Sequence, residues 1–356
     1  MAGKASVSGA SASIVSVIVV NYNGGDKLAK CLESLIADSY PHRQLLVVDN
    51  ASTDGSLALL NDLATRFPEI AVILSARNLG YAGGVNLALP QATGEYVAIL
   101  NMDVVVDQGW LKPLVLFLEQ NEKAGAVNPL IALAEGGRIN AAGQDVHVTG
   151  LGFNRWLGRH VTEVAGSPVS VSGIQGSAFV TRRAILDKIG GMDDDGFLYH
   201  EDVNFSWLLH MMGFNLYCVP ASVVRHDYFL SMYPEKLYLL ERNRWAMLVA
   251  YLHKPALLYL APVLMLTEVF MWGYCLIRGW GFMRAKGRSF VWVLKRLKRI
   301  RKRSERVEAL RVVSDWEVVR KIRWSYAWDQ FFVLGRERGR SRRQNVSTLP
   351  EHAVDG

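Results

Sequence analysis

Asp103 and His226 are two side chains that could share a hard divalent cation. A carboxylate and an imidazole, with phosphate oxygens and water completing the shell, suit an ion that neutralises a departing diphosphate. Glu201 and Asp202 form an acidic pair behind Tyr199 and His200. One of them could take the proton of an incoming hydroxyl. The flanking Phe197 and Tyr199 imply a half-buried setting, where carboxyls usually have a reason to be. Asp49, with Asn21 and Asn23, could accept from a ribose hydroxyl or a base imide N–H. Gly80-Tyr81-Ala82-Gly83-Gly84 is glycine-rich like a phosphate-cradling loop, but it is neither GxGxxG nor a P-loop. Each feature also has an ordinary reading. These are a turn aspartate, a surface or core histidine, two acids in a first helical turn, turn-forming Asn and Asp, and glycines that let backbones approach.

The elements that must position these residues follow a repeating pattern. Val15 to Val20, Gln44 to Val48, Ala71 to Leu74 and Tyr96 to Leu100 are short apolar runs that read as buried strands. Helical spacing follows the first three: Leu28, Cys31, Leu32 and Leu35 after a capping Asp26, then Leu57 to Phe67, then Val85 to Leu89. Strands alternating with helices predict an α/β fold, Rossmann-like, with a mostly parallel sheet and helices on both faces. Ligands bind such sheets beyond the carboxyl ends of the strands. Each strand here delivers a polar cluster at that end: Asn21 to Asn23, Asp49 to Asp54, Asn78 to Gly80, and Asn101 to Asp103. Further on, Gly136 to Ser172 reads as loops and short strands, and Val180 to Ile189 as a helix. Phe197 to Met212 brings the acidic pair onto a helix, and Leu216 to Val224 is a strand running into His226.

Composition bounds the rest. The chain has 356 residues, half of them apolar, and a net charge of +7. The excess is concentrated between Arg278 and Arg306 and between Arg336 and Arg343. Cys31, Cys218 and Cys275 match no zinc or disulfide spacing, which suits a reducing compartment. Met1 to Ser13 lacks a basic-then-apolar pattern, so the expectation is no signal peptide and a catalytic part in the cytosol. Pro255 to Ile277 is apolar and long enough to cross a bilayer, but Glu268 lies near its middle and Pro255 and Pro262 interrupt its beginning. Gly279 to Gly287 breaks it, and a basic stretch with Trp280, Phe290 and Trp292 follows. A membrane-associated helical module, in-plane or re-entrant, at the cytoplasmic face is favoured over a full span. The other reading packs these helices on the catalytic core or on a second copy. The expected division is a disordered 1–13, a catalytic domain 14–250, a helical membrane-associated or oligomerisation module 251–335, and a disordered tail 336–356.

Together these segments resemble the family-2 glycosyltransferases of GT-A fold. The match runs in order through Val17 to Asn23, Val47 to Gly55, Arg77 to Gly80, Asn101 to Asp103 and Gly176 to Phe179. It continues through Phe197 to Asp202, His226, and Glu241 to Arg244. Within the family the chain looks most like the rhamnosyltransferase-like branch. The resemblance implies inverting transfer of a sugar from a nucleotide-sugar donor to a hydroxyl of a glycan or lipid-linked acceptor. Asp49 would contact the nucleotide base, with Asn21 and Asn23 beside it. Asn78, Gly80, Asn86 and Asn101 would lie along the donor. Asp103 and His226 would hold a divalent metal, magnesium or manganese, and Asp202, with Glu201 beside it, would be the base. Asn101 stands where the family's motif has its first aspartate, which removes one charge near the metal. A polyprenyl-phosphate sugar synthase of the same fold, needing no base, is the alternative enzyme. A dinucleotide oxidoreductase is disfavoured because the first strand runs into Asn-Tyr-Asn-Gly-Gly rather than GxGxxG. A non-catalytic membrane- or nucleic-acid-binding protein is the distant alternative. Nucleic acid is not an expected partner, since aromatic and aliphatic residues interleave the basic stretch.

Overall fold

The computed structural model describes residues 13–228 and 230–330. The expected disordered ends, 1–13 and 336–356, lie outside the described residues except for Ser13, whose hydroxyl donates to Glu119. The first half runs β1 (Val15–Asn21), α1 (Asp26–Ala37), β2 (Arg43–Asp49), α2 (Ser56–Arg66), β3 (Ile70–Leu74), α3 (Gly80–Ala88) and β4 (Tyr96–Asn101). Next come β5 (Val104–Val106), α4 (Leu111–Gln120), β6 (Ala124–Leu133), β7 (Ile139–Ala141), β8 (Gln144–Val146), β9 (Gly152–Asn154), β10 (Val169–Val171) and β11 (Ala178–Arg182). Then follow α5 (Arg183–Ile189), α6 (Glu201–Met211), β12 (Asn215–His226) and α7 (Pro234–Tyr251). Four helices close the described chain: α8 (Lys254–Arg278), α9 (Trp280–Lys295), α10 (Leu297–Leu310) and α11 (Asp315–Lys321).

The main sheet is ordered β10-β12-β6-β11-β4-β1-β2-β3. β1 pairs in parallel with β2 and β4, β2 with β3, and β6 with β12. β11 is antiparallel to both β4 and β6, so the sheet is mixed rather than mostly parallel. Alternation along β1 explains its two buried faces. Val17 and Val19 join the core under α1, α2 and α4, while Ile18 and Val20 join the core shared with α3, α6 and the C-terminal helices.

Several expectations change. The Gly80–Gly84 segment is the first half of α3, not a free loop. Asp26 is the first helical residue of α1 and makes no side-chain cap. Val180 to Ile189 splits into the end of β11 and the whole of α5, because Val180 and Thr181 pair with β4 and β6. α8 is one continuous helix through Pro262, and α9 runs through Gly281 and Gly287, so Gly279 alone breaks the two apart. Glu268 turns inward: it bonds Arg244, Lys286 and the Trp245 indole. The cost expected of a charge on an apolar helix is thereby met by ion pairs. α7 packs on α9 and α10, and α8 on α9.

Candidate active site

A cleft of 1150 Å³ opens at the carboxyl ends of β4 and β12. Asn101, Asp103, Glu201, Asp202 and His226 line it, as do Lys27, Tyr81, Gln144 and Tyr199. Pairing of β12 with β5 sets His226 opposite Val104, and Asp227 N–H donates to the Asp103 carbonyl at 3.0 Å. Residues far apart in sequence thus meet: His226 Nε2 lies 3.3 Å from Asp103 Oδ1. His226 Nδ1 is 3.0 Å from Asn140 Oδ1, an acceptor, so the ring proton belongs on Nδ1. In the neutral ring the Nε2 lone pair then faces a carboxylate oxygen that is buried without a hydrogen bond. A cation between the two would reconcile them, and 3.3 Å is close to the ~3 Å separating adjacent ligands of an ion bonded at ~2.1 Å. Burial pushes the Asp103 carboxyl up; when the ring carries a second proton, on Nε2, His226 donates to that carboxyl and, with Lys27, holds it below the ordinary range, a charge that a bound cation would supply instead. Among the described residues no three His, Cys, Asp or Glu side chains gather at one point.

The acidic pair sits on an unusual backbone. Phe197, Tyr199 and His200, just ahead of α6, all have positive φ (63°, 64° and 75°), which non-glycine residues rarely adopt. Surrounding groups hold them there. Asn243 Nδ2 donates to the carbonyls of Gly196, Leu198 and Tyr199 at 3.0, 3.1 and 2.8 Å, and Arg242 Nη2 also reaches Gly196. The His200 ring, buried and held neutral with its pKa pushed down to about 4, bonds the Gly150 carbonyl at 2.7 Å. Tyr81 N–H donates to the Phe197 carbonyl, and a Cβ on Gly80 would fall 1.9 Å from that same oxygen. Gly80 therefore lets α3 touch this turn, and it is absent from the cleft lining.

Asp202 receives three hydrogen bonds: Val203 N–H at 2.8 Å, Gly176 N–H at 3.1 Å and Gln144 Nε2 at 2.7 Å. Burial pushes its pKa up, and these donors lessen the rise without cancelling it. Glu201 lacks comparable partners, and burial plus the neighbouring Asp202 push it up to about 8. A proton held near neutrality thus belongs to the pair, and the three donors on Asp202 favour the charge there and the proton on Glu201.

Asn21, Asn23, Asp49 and Asn78 form a second cluster outside the cleft lining. Asn21 Nδ2 donates to Asp49 Oδ1 at 2.9 Å and to Ser52 Oγ at 3.0 Å. Asn23 Oδ1 accepts from Thr53 N–H at 2.8 Å. The buried Asn50, which the sequence did not single out, ties Asn78 Oδ1, the Gly80 carbonyl and Leu79 N–H together. A Cβ on Gly24 would meet both Asn21 Oδ1 and Met102, so this cluster abuts the Asn101–Asp103 strand end. Asn86 is elsewhere: both of its amide atoms bond the Met192 backbone at 2.7 and 2.8 Å. Gln144, Asn140 and Asn243 were also missed as site residues. Only Asn243 carried a signal, as part of the Glu241 to Arg244 match.

Fold and cleft define a GT-A protein. The sequence profile "Glycosyl transferase family 2" matches residues 16–190, and through this segment the chain belongs to that family and is a glycosyltransferase. It is 27% identical over 235 residues to the N-acetylglucosaminyl-diphospho-decaprenol L-rhamnosyltransferase of Mycobacterium tuberculosis, covering 60% of this chain and 76% of that protein. It is 26% identical over 237 residues to the beta-monoglucosyldiacylglycerol synthase of a Nostoc species, covering 65% of this chain but 48% of the relative, about half its length. Two solved structures share the fold. GalNAc-T7 with UDP, GalNAc and Mn2+ has a TM-score of 0.58 at 18% identity, covering 68% of this chain and 48% of that one. The mannosyltransferase PcManGT from Pyrobaculum calidifontis, with GDP-Man and Mn2+, has a TM-score of 0.51 at 20% identity, covering 84% and 86%.

Proposed function

We propose that the protein transfers a sugar with inversion from a nucleoside-diphosphate donor to a hydroxyl of a glycan or lipid-linked acceptor. Rhamnose is the first sugar to test, given the rhamnosyltransferase relative. One observation carries the reading: Asp202 and the Asp103–His226 pair line one cleft. Asp202, ionised and fixed by three donors, takes the acceptor's proton as its oxygen bonds the anomeric carbon and the bond from that carbon to the diphosphate breaks. Asp103 and His226 would hold a divalent cation, magnesium or manganese, which supplies charge neutralisation for the leaving diphosphate. Asp49, Asn21 and Asn23 are assigned to the nucleotide base, and Asn78 and Asn101 to the donor's length. Gly80 and Asn86 serve the donor site indirectly, through the Phe197 turn and the Met192 loop that they hold.

The catalytic unit in this reading is 14–250, and 251–335 is a helical module seated in the membrane interface at the cytoplasmic face. α8 supports it by its outward residues: Leu258, Met265, Val269, Leu276 and Ile277 are at least 67% exposed. With Glu268 bonded inward, α8 lies along the surface rather than spanning.

The test is Asp202→Asn. Donor screening uses UDP-, GDP- and dTDP-hexoses with Mg2+ or Mn2+ and a GlcNAc-diphospho-polyprenol acceptor. Turnover should fall at least a hundredfold, in line with the ~10²–10⁴ worth of a general base, with nucleotide binding by calorimetry unchanged. Turnover retained would instead favour a synthase acting on a lipid phosphate, which needs no base.

A further inference from the structure

Gln144 opens β8 in the wall of the cleft, 7% exposed. Its backbone N–H and C=O both bond Gly173, at 2.7 and 3.1 Å, so its position is fixed. Its side-chain Nε2 donates to Asp202 Oδ2 at 2.7 Å. That partner fixes the amide's orientation, because a carboxylate only accepts. The other end, Oε1, is buried with no hydrogen-bond partner, beside Gly152, where an added Cβ would lie 3.1 Å away. A methionine would fill the same space without burying an unsatisfied acceptor. The amide is therefore retained for what its donating end does.

Val203 and Gly176 also donate to Asp202, but from the backbone, and Gln144 is the side-chain donor among the groups acting on this carboxyl. We propose that Gln144 is a positioning residue that locks the Asp202 carboxylate in one orientation and makes Asp202, not Glu201, the ionised member of the pair. This rests on the assignment of Asp202 as the base. The other titratable groups facing the site are Glu201 on the same helix, Tyr81 of α3, Tyr199 and His200 of the preceding turn, Asp103 with His226, Tyr228 and Tyr233 of the segment between β12 and α7, and Lys236 of α7. Lys27 is paired with Asp227, and Glu241 with Arg244.

Gln144→Met and Gln144→Glu test it in the full chain, with the donors and acceptor named above. In Gln144→Met the acid limb of kcat/KM should move about one pH unit upward, a roughly tenfold loss on the acid side. Donor KM should stay within about threefold. Gln144→Glu, nearly isosteric, should move the limb the same way and further, since it adds a like charge; it carries the test if the Met variant fails to fold. A limb unmoved in both variants while Asp202→Asn is inactive overturns the role of Gln144 alone. A uniform loss at every pH marks a merely structural role and also overturns it. An active Asp202→Asn overturns the base reading instead.

Discussion

Glu201 and Asp202 are chemically similar and adjacent, and their neighbours make them different. Asp202 accepts from Gln144, Gly176 and Val203, whereas Glu201 meets burial and the charge of Asp202. This has a consequence for stability that is separate from activity. A carboxyl whose folded pKa lies above its unfolded value contributes fully below the unfolded pKa, and that contribution is lost as pH rises through the folded one. For Glu201 the window runs from the ordinary carboxylate range to about 8. Glu201→Gln, which cannot ionise, should melt at a higher temperature than the wild type at pH 9 and show no advantage at pH 5. Thermal melts at the two pH values check this, and an equal difference at both would remove the case for a protonated Glu201. At this scale residue type and place in the chain offer Asp103, His226 and the Glu201–Asp202 pair as candidates, and only the family resemblance singles out Asp202 as the base. Gln144 could not, because a glutamine at the start of a short strand carries no sequence signal of what it will touch.

The turn before α6 is where element-level packing meets chemistry. Three left-handed residues cost of order 1–3 kcal/mol each and persist only when the surroundings over-determine them. Asn243 of α7 supplies much of that by holding three carbonyls. Asn243→Ala should free the turn, lowering kcat by about tenfold or more through misplacement of Asp202 while donor KM changes less than about threefold. An unchanged kcat would show that α3, through Tyr81 and Phe197, suffices. The first four strands were legible because each is an apolar run closed by a polar cluster. β6 was not, since Pro129 sits inside it and Pro220 inside its partner β12, where the ladder shifts register between Val219 and Val223. α3 was misread as a glycine loop. Its glycines, though unfavourable to helices, are needed where a Cβ at Gly84 would strike Val20 and one at Gly80 would strike Phe197. Tertiary contact decided both cases, and sequence periodicity carries no record of it.

On the scale of the whole molecule, the C-terminal helices are part of the site rather than an appendage. Met271 of α8 and Gln330 line the cleft, and Gln330 bonds both backbone groups of Asn154 at 3.1 and 2.9 Å. Arg303 of α10 pairs with Asp193, and also reaches Asn204 and Tyr251. The same module turns outward an apolar stripe on α8, flanked by Trp316, Trp324 and Trp328, each 43–48% exposed. Exposed cations stand on α9 and α10, among them Arg284, Arg288, Lys295, Lys298, Arg301 and Lys302. Apolar stripe, aromatic flank and cations together fit an anionic lipid surface. The proposed seat should therefore show in flotation with vesicles of phosphatidylglycerol and phosphatidylcholine. The wild-type chain should rise with the vesicles, and added salt should weaken the attachment without abolishing it, because screening acts on the cations and not on the stripe. A Leu258→Glu, Met265→Glu, Leu276→Glu variant should remain unbound. Its melting temperature should not fall, because those side chains are 69–75% exposed among the described residues. A wild-type chain that ignores vesicles but sediments as a dimer, with the triple variant monomeric, would assign the stripe to a second copy instead.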